Sequence, residues 1–543
     1  MAVATGRIIP SLALAILLGG FLAAVPPSPA SALAWLSGPI QALGMLKEGL
    51  GGFGLPADDT GRVRLTVASW DPLLILVFVV LIMGMIGVMV TAGGLHGIVR
   101  WLQRFARGPR STQVVTALMG LAVFIDDYAN TMIVGSAMRS VTDAHRVSRE
   151  KLAFLVDATS APVAGLAVIS TWVGYEVGLF DEQATSLHLP GNGYSMLFDA
   201  LVFRFYCVLT LAFVLLNAAT GRDFGPMSRA ERRARRTGAL LEPEAAPLTS
   251  RAFATSAADP RARVSALTAV GPILALFVFL MAALWIDGGG GARMGQNPAV
   301  LLSFAAWRDA ISASNSIPLL ALASAAGLVL AVGFARARAG LDTKTVRAAL
   351  VEGMRSALLP VVVLSLAWGL KAACDRLGTG SFMVALMGER LPPALFPALT
   401  FAVAALISFS TGTSFGTMAI LIPIAVPMAL GLEGGAYGLV TMMSLGAVLD
   451  GSIFGDHCSP ISDTTIMSSI SSACDHLHHV RTQLPYSLMV AILALGLGYG
   501  PAAFGIPSWA GLLAATALIA ATLYLFGRPA GAPGVGPSAE TDT

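Results

Sequence analysis

The chain has 543 residues, 55% of them hydrophobic and only 12% charged, with a formal net charge of +3. Ordinary soluble domains carry about 25% charged residues, so the polar shell that a soluble core of this size needs is missing, and a soluble enzyme, a disordered chain and a nucleic-acid binder are excluded. The four cysteines, Cys207, Cys374, Cys458 and Cys474, show no CxxC spacing, which argues against a zinc site or a disulfide framework.

In chain order, an apolar run at 8–25 follows Arg7 and precedes PPSPASA, with an Ala-x-Ala pattern at Ala30–Ala32. Residues 1–32 read as a signal peptide or a first membrane anchor, and 33–71 as an extracytoplasmic segment. Runs able to span at about 20 residues each lie near 72–99, 152–172, 196–220, 263–285, 312–335, 354–374, 436–470, 485–504 and 508–526. Two further stretches, 112–138 and 396–432, are apolar at both ends and polar in the middle.

Loop charge interprets those two stretches. The loop at 100–110 carries Arg100, Arg104, Arg107 and Arg110, and the loop at 139–151 carries Arg139, Arg146, Arg149 and Lys151. Both read as cytoplasmic by the positive-inside rule. One span between them would put one loop on the wrong side, and two full spans would need about 40 residues. A re-entrant hairpin opening to the cytoplasm, with FIDDYANT at its tip, is the economical solution. The same logic puts 173–195 and 286–311 outside. It puts the Arg-rich loop at 221–262, the loops at 336–352 and 471–484, and the tail at 527–543 inside. The second hairpin then opens to the outside. The expected fold is an all-α polytopic membrane protein of about ten spans plus two oppositely oriented re-entrant hairpins. Its halves, 72–285 and 312–526, form an inverted repeat with helices broken at DATSAP (Asp157–Pro162) and GDHCSP (Gly455–Pro460).

Few residues carry chemistry, and they cluster. Asp126 and Asp127 sit in an apolar segment, where a carboxylate costs about 2.5–3.5 kcal/mol on insertion scales. Adjacent carboxylates couple their titration, which suits a site holding either a proton or a cation. Asn130 would share a helical face with Asp126. The blander role for this group is a hairpin cap bound to backbone amides. In the first break, Asp157, Thr159 and Ser160 precede Pro162, which frees the carbonyl of Ala158. Together these groups make a hard oxygen shell suited to Na+. Trp172 reads as an interface anchor.

In the second half, Ser410, Thr411, Thr413 and Ser414 crowd a Gly-containing break, a composition that small-residue helix packing also favours. Asp456, His457, Ser459, Asp463 and Thr464 follow. Asp456 and Asp463 share one face if Pro460 only kinks the helix, and His457 is either a proton relay or a packed hydrogen-bonding residue. His476, His478 and His479 read as solvated loop residues. GTSFG (Gly412–Gly416) matches a nucleophile elbow in letters only, because that motif needs a strand–turn–helix setting.

These blocks resemble a known family. FIDDYAN (Phe124–Asn130), VSREKLAFLVDATSAPV (Val147–Val163), ISTWVGYE (Ile169–Glu176), RFY (Arg204–Tyr206), LGTG (Leu377–Gly380), FSTGTSFGTM (Phe409–Met418) and GDHCSPISDTTIMSS (Gly455–Ser469) are similar to the NhaC-type Na+/H+ antiporter family. The resemblance covers roughly 70–525 in dispersed blocks. It implies secondary antiport in a bacterial inner membrane, on two inverted halves with hairpins. Relatives thought to move organic solutes with Na+ or H+ leave the substrate open.

The expectation is therefore a multi-pass transporter, not an enzyme. It would exchange Na+ for H+ by competition at midplane carboxylates, Asp157 and Asp456 first and Asp127 next, with Na+ held in the Asp157–Asp456 region. The alternative is a Na+- or H+-coupled transporter of a small carboxylate or amino acid, assisted by Lys371 or Arg204. No cofactor is expected beyond the transported ions. Membrane lipid, Na+ and H+ are the expected partners, nucleic acid is not, and a homodimer is left open.

Overall fold

The computed structural model describes residues 8–24, 37–50, 52, 70–247, 258–378 and 391–530. The Ala30–Ala32 pattern, most of the 33–71 segment, residues 248–257 of the Arg-rich loop, the approach to the second hairpin at 379–390 and the tail beyond 530 lie outside the described residues.

The fold is helical nearly throughout. Helices α1 (Ile8–Ala23) and α2 (Gly38–Gly49) precede α3 (Asp71–Thr91) and a short α4 (Gly94–Gln103). The first hairpin is α5 (Pro109–Ala122) and α6 (Asp127–Ala144). The first broken segment is α7 (Arg149–Asp157), one turn α8 (Ala161–Ala164) and α9 (Thr171–Ser186). Next come α10 (Gly193–Leu201) and α11 (Phe205–Thr220), bent by 49°, then β1 (Arg222–Asp223), α12 (Gly225–Thr237) and α13 (Leu267–Asp287). The second half holds α14 (Ser316–Ala337), α15 (Thr343–Ser356) and α16 (Leu358–Arg376). It continues with the second hairpin, α17 (Phe396–Thr411) and α18 (Ser414–Leu432), and the second broken segment, α19 (Leu439–Asp456) and α20 (Asp463–Ser471). The chain closes with α21 (His476–Leu493), α22 (Ser508–Leu525) and β2 (Arg528–Pro529), which pairs with β1. Among the described residues, eight helices are long and apolar enough to cross a membrane, or nine with the bent pair counted as one span.

The breaks have local causes. Asp126 is extended (φ −157°) and caps α6, so α5 and α6 cannot run on as one helix. At the second tip Gly412 is left-handed (φ +68°) and Thr413 is extended. A Cβ on Gly412 would stand 2.7 Å from the carbonyl oxygen of Ile461, so both backbone sign and space demand glycine there. A second close approach joins α3 to α15: a Cβ on Gly87 would lie 2.6 Å from Ala349 O, and one on Gly353 2.5 Å from Met83 O. Small residues permit this backbone contact.

The two halves exchange arms. Helix α6 of the first hairpin packs on α20 of the second broken segment, and α18 of the second hairpin packs on α9 of the first. This reciprocity is the packing that a pair of related, interlocked halves requires. The basic loops also gather. Arg110 lies against Gly221, Arg235 reaches His145 O, Arg149 reaches Ser472 O, Arg263 N bonds Ala339 O and Arg222 reaches Gly527 O. Separately, Asn192 bonds Ile311 O and Ser314 O.

Three sequence expectations are corrected here. The segment taken as an outer loop at 173–195 is mostly α9. Ser170 caps that helix by accepting from Trp172 N, and Glu176 hides its charge beside Arg204. Trp172 is fully buried against Phe415 (ring centroids 5.0 Å), not an interface anchor. Lys151, counted with the basic loop, is also buried, held by Asp223 at 2.6 Å and by Asn217.

Candidate ion site

The hairpin tips and both breaks converge. At the first tip, Asp126 accepts from Ala129 N (2.7 Å) and from Thr171 Oγ1 (3.1 Å), while Thr171 N bonds Ile125 O (3.0 Å). Asp126 is thus a cap that fastens the hairpin to the start of α9. Asn130 does not join it in a shared site. Its Nδ2 donates to Gly120 O (2.8 Å), Val123 O (3.2 Å) and Thr159 O (2.9 Å), closing the hairpin and tying it to the first break. Asp127 is buried, with Oδ1 unbonded, and the Trp172 indole lies beside it without closing a hydrogen bond.

In the first break, Asp157 accepts from Ser468 Oγ (3.2 Å) and Gln483 Nε2 (2.9 Å), with His479 Nε2 at 3.6 Å. Gln483 also donates to the carbonyl of His457. The Thr159 and Ser160 hydroxyls bond back to Leu155 O (2.7 Å) and Asp157 O (2.8 Å), leaving oxygen lone pairs as their free function.

At the second break, Asp456 is buried and takes Ser414 Oγ from the hairpin tip (3.0 Å) and Ser462 Oγ (2.8 Å); Ser462 also meets Thr464 Oγ1 (2.9 Å). Asp463 is exposed, and Tyr128 of the first tip donates to it at 2.5 Å. Asp456 and Asp463 do not share a helical face, because the chain leaves the helix between them. One ends α19 and the other begins α20. Thr465 lies between the two breaks, its hydroxyl 3.2 Å from Asp456 O and within reach of the Asp157 carboxyl. Ser459 fastens the break to Phe409 O (2.7 Å), Thr411 bonds back to Ile407 O (2.8 Å), and Thr413 caps α18. Ser410 lies half-buried in the last turn of α17. His457 packs with Tyr206 Oη (3.2 Å) and Ser487 Oγ (3.3 Å).

The His-rich stretch is not a solvated loop. It begins α21, His476 Nε2 meets Pro460 O (2.7 Å), and His479 is buried between Ser469 (2.9 Å) and Gln483 (2.8 Å). Sequence reasoning passed over Tyr128, Ser468 and Gln483. Gln483 lies in the stretch read as an inside loop, two residues before the run at 485–504, so nothing local marked it.

Beside the tips lies a cavity of about 380 Å³. Asp126, Tyr128, Thr91, Glu352 and Ser356 supply its polar groups, with Met, Ile and Phe415 side chains around them and no basic residue. The buried bases are engaged elsewhere: Arg204 with Asp450 (3.0 Å) and Glu176 (3.7 Å), Lys371 with Asp375 (2.6 Å) and Glu182 (3.2 Å), Lys151 with Asp223. Among the described residues, no three His, Cys, Asp or Glu side chains converge to hold a metal ion. A cation here would complete its shell from hydroxyl and carbonyl oxygens. Ser414 faces Asp456 in a helical hairpin, which is no setting for a hydrolase nucleophile.

Interlocked helical halves, paired hairpins and carboxylates at helix breaks define a multi-pass membrane transporter rather than an enzyme. Residues 163–500 match the Na+/H+ antiporter family, more than half of the chain, and the chain belongs to that family. The NhaC-type resemblance of the motif blocks is borne out. An uncharacterized protein of Haemophilus influenzae is 28% identical over 450 residues, 82% of this chain and 81% of that protein. The malate-2H+/Na+-lactate antiporter of Bacillus subtilis is 30% identical over 166 residues, 30% of this chain and 34% of that one. The Alcanivorax borkumensis YdaH transporter has a similar fold, with a TM-score of 0.56 at 17% identity over 92% of this chain and 99% of that chain.

Proposed function

We propose that the protein exchanges Na+ for H+ across a bacterial inner membrane by competition of the two ions for the carboxylates of Asp456 and Asp463, with Asp157 and Asp127 alongside. The observation that carries this reading is that both hairpin tips bond to the two ends of one break, Ser414 to Asp456 and Tyr128 to Asp463. Na+ displaces the proton, gathers the Ser414 and Ser462 oxygens, and alternating access releases it on the other side. The re-entrant depth of the hairpins belongs to this proposal. An acidic cavity without a basic residue supports a cationic cargo. In everted vesicles with a pH-sensitive dye, Na+ should dissipate an imposed gradient, and Asp456→Asn should abolish the response. A Na+-independent dye signal, or an unimpaired Asp456→Asn protein, would sink the proposal.

The second reading is exchange of a small organic acid coupled to Na+ or H+, favoured by the name of the Bacillus subtilis relative. The paired state of Arg204 and Lys371 opposes it. Proteoliposomes separate the two: Na+ flux that appears only when an organic acid is present selects this second reading.

A further inference from the structure

A different pocket, of about 740 Å³, opens on the face that gathers the basic loops. Arg107, two residues before α5, and Arg110 in its first turn line it together with Arg235 of α12 and Pro529 of β2. Gln113 forms part of its wall. That side chain is 2% exposed, its Nε2 donates to Glu231 Oε2 (3.4 Å), and its Oε1 has no partner. Glu231, the one acid in the wall, is engaged by Ser148 N and Oγ (both 2.8 Å). Arg235 reaches His145 O (2.9 Å) through Nη1. Burial holds Arg235 below the ordinary guanidinium range; Glu231 opposes this and the nearby Arg110 charge adds to it. Three guanidiniums and a helix N-terminus therefore face one cavity with an unfilled acceptor inside.

The segments that lead into the pocket select the kind of anion. Trp101 and Phe105, exposed and stacked edge-on at 5.6 Å, shortly precede Arg107 in the chain, while Tyr524 and Phe526, also exposed, shortly precede Pro529. Exposed aromatics close in sequence to a basic pocket are the residues that settle at the depth of lipid headgroups.

We propose that this pocket binds the headgroup of an anionic phospholipid. The phosphate lies among Arg107, Arg110 and the first turn of α5, and a headgroup hydroxyl donates to Gln113 Oε1. Phosphatidylglycerol has both groups, so it is the probe. The full-length protein in neutral detergent is titrated with dioleoyl phosphatidylglycerol, dioleoyl phosphatidylcholine or inorganic phosphate, with thermal unfolding and native mass spectrometry as readouts. Phosphatidylglycerol should raise the unfolding temperature and stay bound, and the other two should not. Arg110→Gln should weaken binding roughly fivefold or more. Arg229→Gln, an exposed charge on α12 outside the pocket wall, should leave it unchanged. Three outcomes overturn the proposal: equal stabilisation by inorganic phosphate, an unaffected Arg110→Gln protein, or equal loss in Arg229→Gln, which would mean diffuse charge attraction.

Discussion

Tyr128 donates its phenolic proton to Asp463 Oδ2 at 2.5 Å across 335 positions of sequence. The bond joins the first hairpin tip to the exposed end of the second break, so movement of either element is felt by the other. A hydrogen bond to a charged group is worth about 1.5–3 kcal/mol. Tyr128→Phe should slow Na+-driven proton movement in vesicles by roughly tenfold while leaving the unfolding temperature nearly unchanged. Wild-type exchange in that variant would show the bond to be incidental.

Ser414 and Ser462 each bond Asp456. On the proposed mechanism they are also oxygen donors to Na+. Ser414→Ala and Ser462→Ala should each raise the Na+ concentration for half-maximal exchange by about fivefold, the equivalent of roughly 1 kcal/mol. Threonine at 462 should restore part of the loss. A fall in maximal rate at unchanged Na+ dependence would assign them a purely structural part.

Asn130 shares its two amide protons among three carbonyls at the junction of hairpin and break, with Gly120 O and Thr159 O the nearer and Val123 O the farther. Truncation to alanine strands them, and each unsatisfied group costs about 1–3 kcal/mol, less than additively. Asn130→Ala should lower the unfolding temperature by several degrees in detergent. Stability equal to wild type would mean that water takes over all three.

Arg204, Asp450 and Glu176 form a fully buried charge cluster. Asp450 also accepts from Tyr206 N (2.6 Å) and Tyr499 Oη (3.0 Å). Removing one partner of a buried pair typically costs about 3–5 kcal/mol, whereas replacing both by apolar groups is often tolerated. Arg204→Met should fold poorly, and Arg204→Met with Asp450→Leu should recover much of the yield measured by size-exclusion chromatography. Equal yields for the two would argue that the cluster is not coupled.

Glu231 on α12 is held above the usual carboxyl range, first by burial and then by the Asp223 charge, with Lys151 opposing. An acid whose folded pKa is raised binds its proton more tightly when folded. Its stabilising contribution is full below the unfolded pKa and lost as pH rises through the folded one. Glu231→Gln should therefore be more stable than wild type at neutral and alkaline pH, with the gap closing toward pH 4. Melting curves across pH test this; a gap that widens on acidification would reverse the sign.

Much of this was legible in the sequence because charge is scarce and its positions are informative. The basic loops, both hairpins and both breaks could be placed from Arg spacing and interrupted apolar runs. What escaped was decided by contacts between side chains on different elements. The cap role left open for Asp126 is the one it fills, but nothing local tells that Glu176 pairs with Arg204 and so lies inside the protein. His479 looked solvated because its neighbours Arg481 and Asp475 are polar, yet Asp157 and Gln483 draw it inward. Pro460 looked like a kink, but the Ser459 and Ser462 hydrogen bonds hold a full departure from the helix.

The exchange of arms between the halves sets an order of events during synthesis. Asp157 finds its hydrogen-bond donors on Ser468 and Gln483, 311 and 326 positions later. Until α20 and α21 have been made, Asp157 stands without the groups that satisfy it. The first half is thus an unfinished intermediate that must persist through most of translation, and closing such distant contacts is slow. The nascent chain is most exposed to quality-control proteolysis during that interval, and faults in the last spans will be felt as instability of the first.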